Sequence, residues 1–186
     1  MKKVSVILCT NKIDKLEFGI RSFLRQTYEN KELIVVLNNN RFNIEKIREE
    51  YPKIKVIQID EKENLCYCLN RGCEIAQGDL IAKMDDDDIY SNKYLENSVK
   101  WHIDNNADIS GLRVFPIYIE SLNHFGYTYD YEVIPIIENN IATIKTFDMK
   151  ENTFIGLDLR KHFSKKTSFG LIGGTMIFNR EVWENN

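Results

Sequence analysis

A chain of 186 residues is long enough for one domain with a sizeable core, and its length alone does not call for two. With 43% hydrophobic and 28% charged residues, nine glycines and three prolines, it has the composition of a globular protein, which excludes disorder and collagen-like structure. A formal net charge of −3 gives no general attraction to nucleic acid or an acidic membrane, so a phosphate-bearing ligand needs a specific site.

The N-terminal MKKVSVILCTNK begins like a signal peptide, but its apolar run stops at Thr10-Asn11, too short for such a segment. No later stretch approaches the roughly 20 apolar residues of a membrane-spanning helix. Val4 to Leu8 is instead a short β-branched run of the kind buried on both faces in a parallel sheet. Ile13, Leu16, Ile20, Phe23 and Leu24 then recur at a helical period. Asp14 is the expected N-cap, and the helix should end near Gln26. Glu32 to Leu37 reads as a second strand closed by Asn38-Asn39-Asn40, Asn43 to Glu50 as an exposed helix, and Lys55 to Ile59 as a third strand.

Asn64 to Ala76 reads as a helix with Leu65, Leu69, Cys73 and Ala76 on one side, ended by Gln77-Gly78, where glycine suits a left-handed position. Its CYCLNRGC segment holds three of the four cysteines, Cys66, Cys68 and Cys73, with Cys9 the fourth. No spacing matches a zinc finger or ribbon and no histidine is near, so buried or neutral thiols in a reducing compartment are expected. Asp79 to Met84 is a fourth strand, followed by a helix from about Asn92 to Asn105 that uses Tyr94, Val99 and Trp101.

Beyond it the pattern loosens. Gly111 to Ile119 is strand-like, with Pro116 demoting part of it to an edge or bulge. Residues 123 to 167 suggest only short strands, a helix near Ile141 and a loop around Lys161 to Lys166. Gly170 to Phe178 reads as a final strand with a close-approach glycine pair, and a helix starts at Arg180 to Trp183.

Strand and helix alternating four times predict an α/β fold, a mostly parallel sheet with helices on both faces. The loops after the strands then share one edge: Thr10-Asn11-Lys12, Asn38-Asn39-Asn40, and Asp85 to Asp88. Four successive aspartates there repel one another, and a hard divalent cation resolves that. On an extended segment Asp85 and Asp87 share one side and Asp86 takes the other. Taken alone, an acidic run is more often a solvated turn or an N-cap cluster for the next helix. Its place on the shared polar rim favours the ligand reading.

Four segments, in order, resemble an inverting, GT-A type (Rossmann-like) glycosyltransferase of family 2. VSVILCTNK is similar to the opening VSVIxPTYN, LRQTYENKELIVV to LxQTYxxxELIVV, NLCYCLNRGCEIAQGDLIAKMDDDD to NxGxxxARNxGixxAxGxyIxfLDxDD, and GGTMIFNREVW to GGxxxFRRxxf. The resemblance implies one GT-A domain over 1–186, with a nucleotide-binding half over 1–90 and an acceptor-side half over 91–186. It implies that Asp85 and Asp87 hold Mn²⁺ or Mg²⁺ on a diphosphate, that Asp86 meets the ribose, and that Thr10 and Asn11 line the base. Asn38 stands where the family usually has a base-binding aspartate, and its amide oxygen can still accept from a uracil N3–H. The family arginine before Asn70 is replaced by Leu69. Gly173, Gly174 and Thr175 match the segment bordering the acceptor, although strand-edge packing would also account for them.

The resemblance implies metal-dependent transfer of a sugar from a nucleotide-diphosphate sugar, a UDP-sugar, to a hydroxyl of a glycan or lipid-linked cell-surface acceptor. The setting implied is the cytoplasmic side, at the inner face of the membrane. Inversion needs a base for the acceptor hydroxyl. In the resembled family that acid follows the last matched segment, so it is expected beyond Asn186, in a longer enzyme. Glu181 and Glu184 read as surface acids of the terminal helix. A non-catalytic nucleotide- or glycan-binding domain of the same fold remains the alternative. A dinucleotide-binding enzyme is disfavoured because TNKID stands where a G-x-G-x-x-G should follow the first strand. A phosphoryl-transfer domain would use strand-end aspartates too, without this order of segments.

Overall fold

The computed structural model describes residues 1–112 and 173–185, and between them the backbone of strands at 116–119, 124–127, 134–138, 141–145 and 154–157. In chain order the first part runs β1 (Val4–Thr10), α1 (Ile13–Leu24), β2 (Lys31–Leu37), α2 (Ile44–Glu50), β3 (Lys55–Gln58), α3 (Leu65–Glu74), β4 (Leu80–Lys83) and α4 (Tyr94–Asp104). Then come β5 (Ile109–Leu112), β6 (Pro116–Ile119), β7 (His124–Tyr127), β8 (Ile134–Glu138), β9 (Ile141–Lys145) and β10 (Phe154–Leu157). A 3-10 turn at Gly173–Thr175, β11 (Ile177–Asn179) and α5 (Arg180–Glu184) complete it.

Seven strands form one sheet in the order β10-β5-β11-β4-β1-β2-β3. The β3-β2-β1-β4 half is parallel, while β11 runs antiparallel to both β4 and β5, and β10 antiparallel to β5. The strand pleat divides the core into two. Val4, Val6 and Leu8 of β1 and Leu33, Val35 and Leu37 of β2 face α1, α2 and α4 through Leu16, Ile20, Phe23, Ile47, Leu95 and Val99. Ile7, Ile34, Val36 and Ile81 face the other way, onto Cys68 and Cys73 of α3 and Trp183 of α5. Helices therefore cover both faces, as the alternating pattern requires.

Several local expectations are corrected. Helix α1 begins at Ile13, not behind an Asp14 cap. Lys12 occupies the N-cap position without a side-chain cap bond, and Asp14 sits in the first turn, where its charge favours the helix dipole. On α3 it is Cys68, fully buried, that continues the stripe, while Leu65 is 53% exposed. The cause is Gly72: a Cβ there would lie 2.7 Å from Ile7 Cγ2, so the helix rests against β1 along its small-residue side. Gly78 is not left-handed, since no glycine among the described residues has positive φ. It is there for space, because a Cβ would meet Ser5 N at 2.5 Å and Lys3 O at 2.8 Å.

Ile141 starts strand β9, paired antiparallel with β8, rather than a helix, in keeping with the β-branched residues of IATIK. Gly111 to Ile119 divides into β5, in the main sheet, and β6, which pairs with β7 and starts on Pro116, where a missing N–H is tolerated. Gly170 to Phe178 is not one strand: Gly173–Thr175 turns as a 3-10 element, and pairing begins only at Ile177. The loop expected around Lys161 to Lys166 lies outside the described residues. All four cysteines are free, with Cys68 and Cys73 buried and Cys66 exposed. Burial pushes the Cys9 and Cys73 thiols up to about 12. No helix among the described residues is long and apolar enough to cross a membrane.

The edge holding the strand N-termini is tied by one carboxylate. Glu32 accepts from Lys3 Nζ at 2.8 Å, Ser5 Oγ at 2.6 Å and Gln77 N at 2.7 Å, and pairs with Lys55 Nζ at 3.2 Å. Burial alone would raise its pKa, but these hydrogen bonds outweigh burial and bring the carboxyl down to about 2. Because the folded value lies below the unfolded one, the stabilisation is full above pH 4.5 and is lost as pH falls through about 2. Glu32→Gln is expected to cost about 2–3 kcal/mol at neutral pH and to flatten the acid limb of the stability curve, as read by urea melts between pH 7 and pH 2.

Candidate functional site

In the sheet, β1 has β2 on one side and β4 on the other, while the chain passes from β3 to β4 only after crossing β1. In open α/β sheets the crevice at such a switch, beyond the strand C-termini, is where ligands bind. Three loops meet there. Asn38 N donates to Thr10 O at 2.8 Å, Asn39 Nδ2 to Asn11 O at 2.9 Å, and Thr10 Oγ1 to Asp86 Oδ2 at 2.5 Å. Thr10, Asn11, Asn38 and Asp86, all expected at the site, thus belong to one connected rim. Asn38 Nδ2 is committed to Asp60 O at 2.7 Å, which leaves its Oδ1 available as an acceptor.

The four aspartates go separate ways. Asp85 is paired with Lys83, Asp86 is buried against Thr10, and Asp87 meets Lys12 Nζ at 2.7 Å. The hydrogen bond from Lys12 lowers the Asp87 carboxyl pKa and raises that of the Lys12 ammonium. The backbone bends at Asp86 and Asp87, so strict extended alternation ends there and Asp88 comes back beside Asp85. Burial, then the charges of Asp85 and Asp87, raise the Asp88 carboxyl above its ordinary range.

Gly174 closes over this pair. A Cβ built on it would lie 2.5 Å from Asp85 Oδ2 and 2.8 Å from Asp88 Oδ2, so only glycine lets the later segment approach the carboxylates this closely. Tyr90, 5% exposed, joins the two. Its hydroxyl accepts from Asp85 N at 2.8 Å and donates to Gly174 O at 2.6 Å. Thr175 Oγ1 accepts from Leu112 N at 2.9 Å, and Lys83 N donates to Met176 O at 2.9 Å, so the Gly173–Thr175 turn is fixed beside the acidic bend.

The far side of the bend is held by the end of α1. Arg25 Nη2 donates to Tyr90 O at 3.1 Å, Gln26 Nε2 to Ser91 O at 2.9 Å, and Thr27 N to Asn92 O at 2.8 Å. Leu95 N donates to Gln26 Oε1 at 3.0 Å, which ties the start of α4 to the same glutamine. The residues that sequence reasoning missed are therefore Lys83, Gln26 and Tyr90, while Lys12 belongs to the expected rim but is given no role in it. Lys83 and Tyr90 flank the aspartate run and both meet Asp85 locally, but the contact of Tyr90 with Gly174 is set by the tertiary fold.

Among the described residues, no three His, Cys, Asp or Glu side chains form a ready metal cage. The carboxylates on the bend, paired with ammonium groups at Asp85 and Asp87 and left with mutual repulsion at Asp85 and Asp88, fit a hard cation that completes its shell with water and phosphate oxygens. Glu181 and Glu184 lie elsewhere. Because β11 runs antiparallel to β4, with Asn179 opposite Leu80, α5 starts at the other edge of the sheet, and Glu184 is paired there with Arg180 at 3.0 Å.

A family model described as Glycosyl transferase family 2 matches residues 5–185. A glucosyl-dolichyl phosphate glucuronosyltransferase of Haloferax volcanii is 30% identical over 112 residues, 57% of this chain and 36% of that protein. The O-antigen biosynthesis glycosyltransferase WbnJ of Escherichia coli is 30% identical over 114 residues, 58% of this chain and 44% of its own length. The chain thus spans less than half the length of either relative. Among solved structures, the mannosyltransferase PcManGT from Pyrobaculum calidifontis, in complex with GDP-Man and Mn²⁺, aligns with a TM-score of 0.50 at 24% identity over 58% of this chain and 34% of that one. That likeness is one of fold, the GT-A arrangement.

Tyr90→Phe removes the hydroxyl from two buried backbone partners. It is expected to destabilise the fold by about 1–3 kcal/mol in denaturant melts, whereas a side chain that only packs would lose little on this change.

Proposed function

As the chain belongs to glycosyl transferase family 2, we propose that it transfers a sugar, with inversion, from a nucleoside diphosphate sugar to a hydroxyl of a glycan or lipid-linked acceptor. The observation that carries this reading is the convergence of the Thr10, Asn38 and Asp85–Asp88 loops at the sheet switch, with Gly174 laid directly against the carboxylates. The donor is a UDP-sugar. Asn38, its amide nitrogen occupied by Asp60 O, offers Oδ1 to the N3–H of uracil, and Thr10 and Asn11 form the neighbouring wall. Asp86 is held by Thr10 where a ribose hydroxyl can reach its second oxygen.

Asp85 and Asp87 supply the oxygens for Mn²⁺ or Mg²⁺. When bound, such an ion offsets charge on the departing diphosphate. The Gly173–Thr175 turn, adjoining the same carboxylates through Tyr90, forms the acceptor-side wall. The Haloferax and Escherichia relatives, named for a glucosyl-dolichyl phosphate and for O-antigen biosynthesis, support a glycan or lipid-linked acceptor. No residue of this chain is assigned as the base.

Calorimetry with UDP and Mn²⁺, with GDP as comparator, tests the donor site. UDP should bind in a Mn²⁺-dependent way, and Asp87→Ala should weaken it at least about 10-fold, equivalent to about 1.4 kcal/mol. Absence of binding by any nucleoside diphosphate would sink the proposal.

A further inference from the structure

We infer that Lys12 is a displaceable counter-ion: it pairs with Asp87, yields to the divalent cation, and then turns its ammonium to the diphosphate. The inference rests on the donor-site reading above and extends it to a residue that reading does not use.

The two lysines on the acidic bend differ in exposure. The Lys83 side chain is 12% exposed on Asp85, whereas Lys12 and Asp87 are each 48% exposed. An ion pair as open as Lys12–Asp87 contributes little to folding and exchanges readily. Its geometry is nonetheless prepared. Lys12 N donates to Thr10 Oγ1 at 3.0 Å, and Lys12 O accepts from Lys15 N at 3.2 Å, so the backbone is pinned while the four-carbon side chain is free to swing. Thr10 is itself bound to Asp86, which places the root of Lys12 in register with the acidic bend.

A cation on Asp87 and an ammonium on the same oxygen exclude each other by size and by charge. Binding of the metal therefore releases Lys12 at a point where the incoming diphosphate is the nearest new anion. Lys12 thus opposes the metal alone and favours metal with nucleotide. Such a residue couples the two ligands, and by linkage the coupling is reciprocal.

The test is calorimetry on the whole chain, wild type, Lys12→Met and Lys12→Arg, with Mn²⁺ alone and with UDP at saturating Mn²⁺. Lys12→Met should bind Mn²⁺ alone about 2–5-fold more tightly, the range expected for loss of an exposed competing ion pair. It should bind UDP about 10-fold more weakly in the presence of Mn²⁺, from loss of one charge-assisted contact, and Lys12→Arg should restore the UDP affinity. Unchanged or weaker Mn²⁺ binding by Lys12→Met, or unchanged UDP binding, overturns the role of Lys12 while the donor site stands. A wild type that binds neither Mn²⁺ nor UDP overturns the donor site, and the inference with it.

Discussion

Four carboxylates in succession cannot share one environment, since adjacent unit charges at 4 Å repel by about 1 kcal/mol even in water and by more where solvent is thin. The surroundings of the bend are built around that constraint. Three of the aspartates are each given a direction by a different element: Asp85 by Lys83 on β4, Asp86 by Thr10 on β1, Asp87 by Lys12 at the start of α1. Asp88 is left beside Asp85 with its carboxyl raised. The chain leaving the bend is then clamped by Gln26 and Thr27, so repulsion cannot unfold it outward.

The opposite edge of the sheet solves a different problem with the same chemistry. Glu32 has two lysines, a hydroxyl and a backbone amide on one carboxylate, leaving little capacity for anything else. On the acidic bend Asp85, Asp86 and Asp87 each have one side-chain partner, and at Asp87 that partner is open to solvent. A saturated carboxylate holds structure, and an under-coordinated one retains free lone pairs for a ligand.

Much of this was legible in the sequence because the sheet obeys simple periods. VSVIL and ELIVV read as buried strands and fold as such, and the polar loops after β1, β2 and β4 do meet at one edge. What was not legible depends on contacts far apart in the chain. The stripe on α3 shifts to Cys68 because Gly72 lets Ile7 in, and Gly174 breaks the expected strand because it must pass over Asp85 and Asp88. The Asp85–Tyr90 contact spans five residues, yet nothing local signals that the same hydroxyl reaches Gly174. Ile141 was misread because a short apolar stretch suits helix and strand alike, until a partner strand decides.

The return of β11 has a consequence for the interval that precedes it. The chain leaves the sheet at Leu112 and re-enters beside the same strand, with Ile177 opposite Ser110 and Phe178 opposite Ile109. Departure and return are thus neighbours, and Leu112 N is even bonded to Thr175 Oγ1. Of the intervening described strands, only β10 joins the main sheet, and it does so at the margin. Closing a longer or shorter excursion costs only a logarithmic increment in loop entropy. The length of the interval between Leu112 and Gly173 therefore bears little on the register of β4, β11 and β5, because the two points it joins are already in contact.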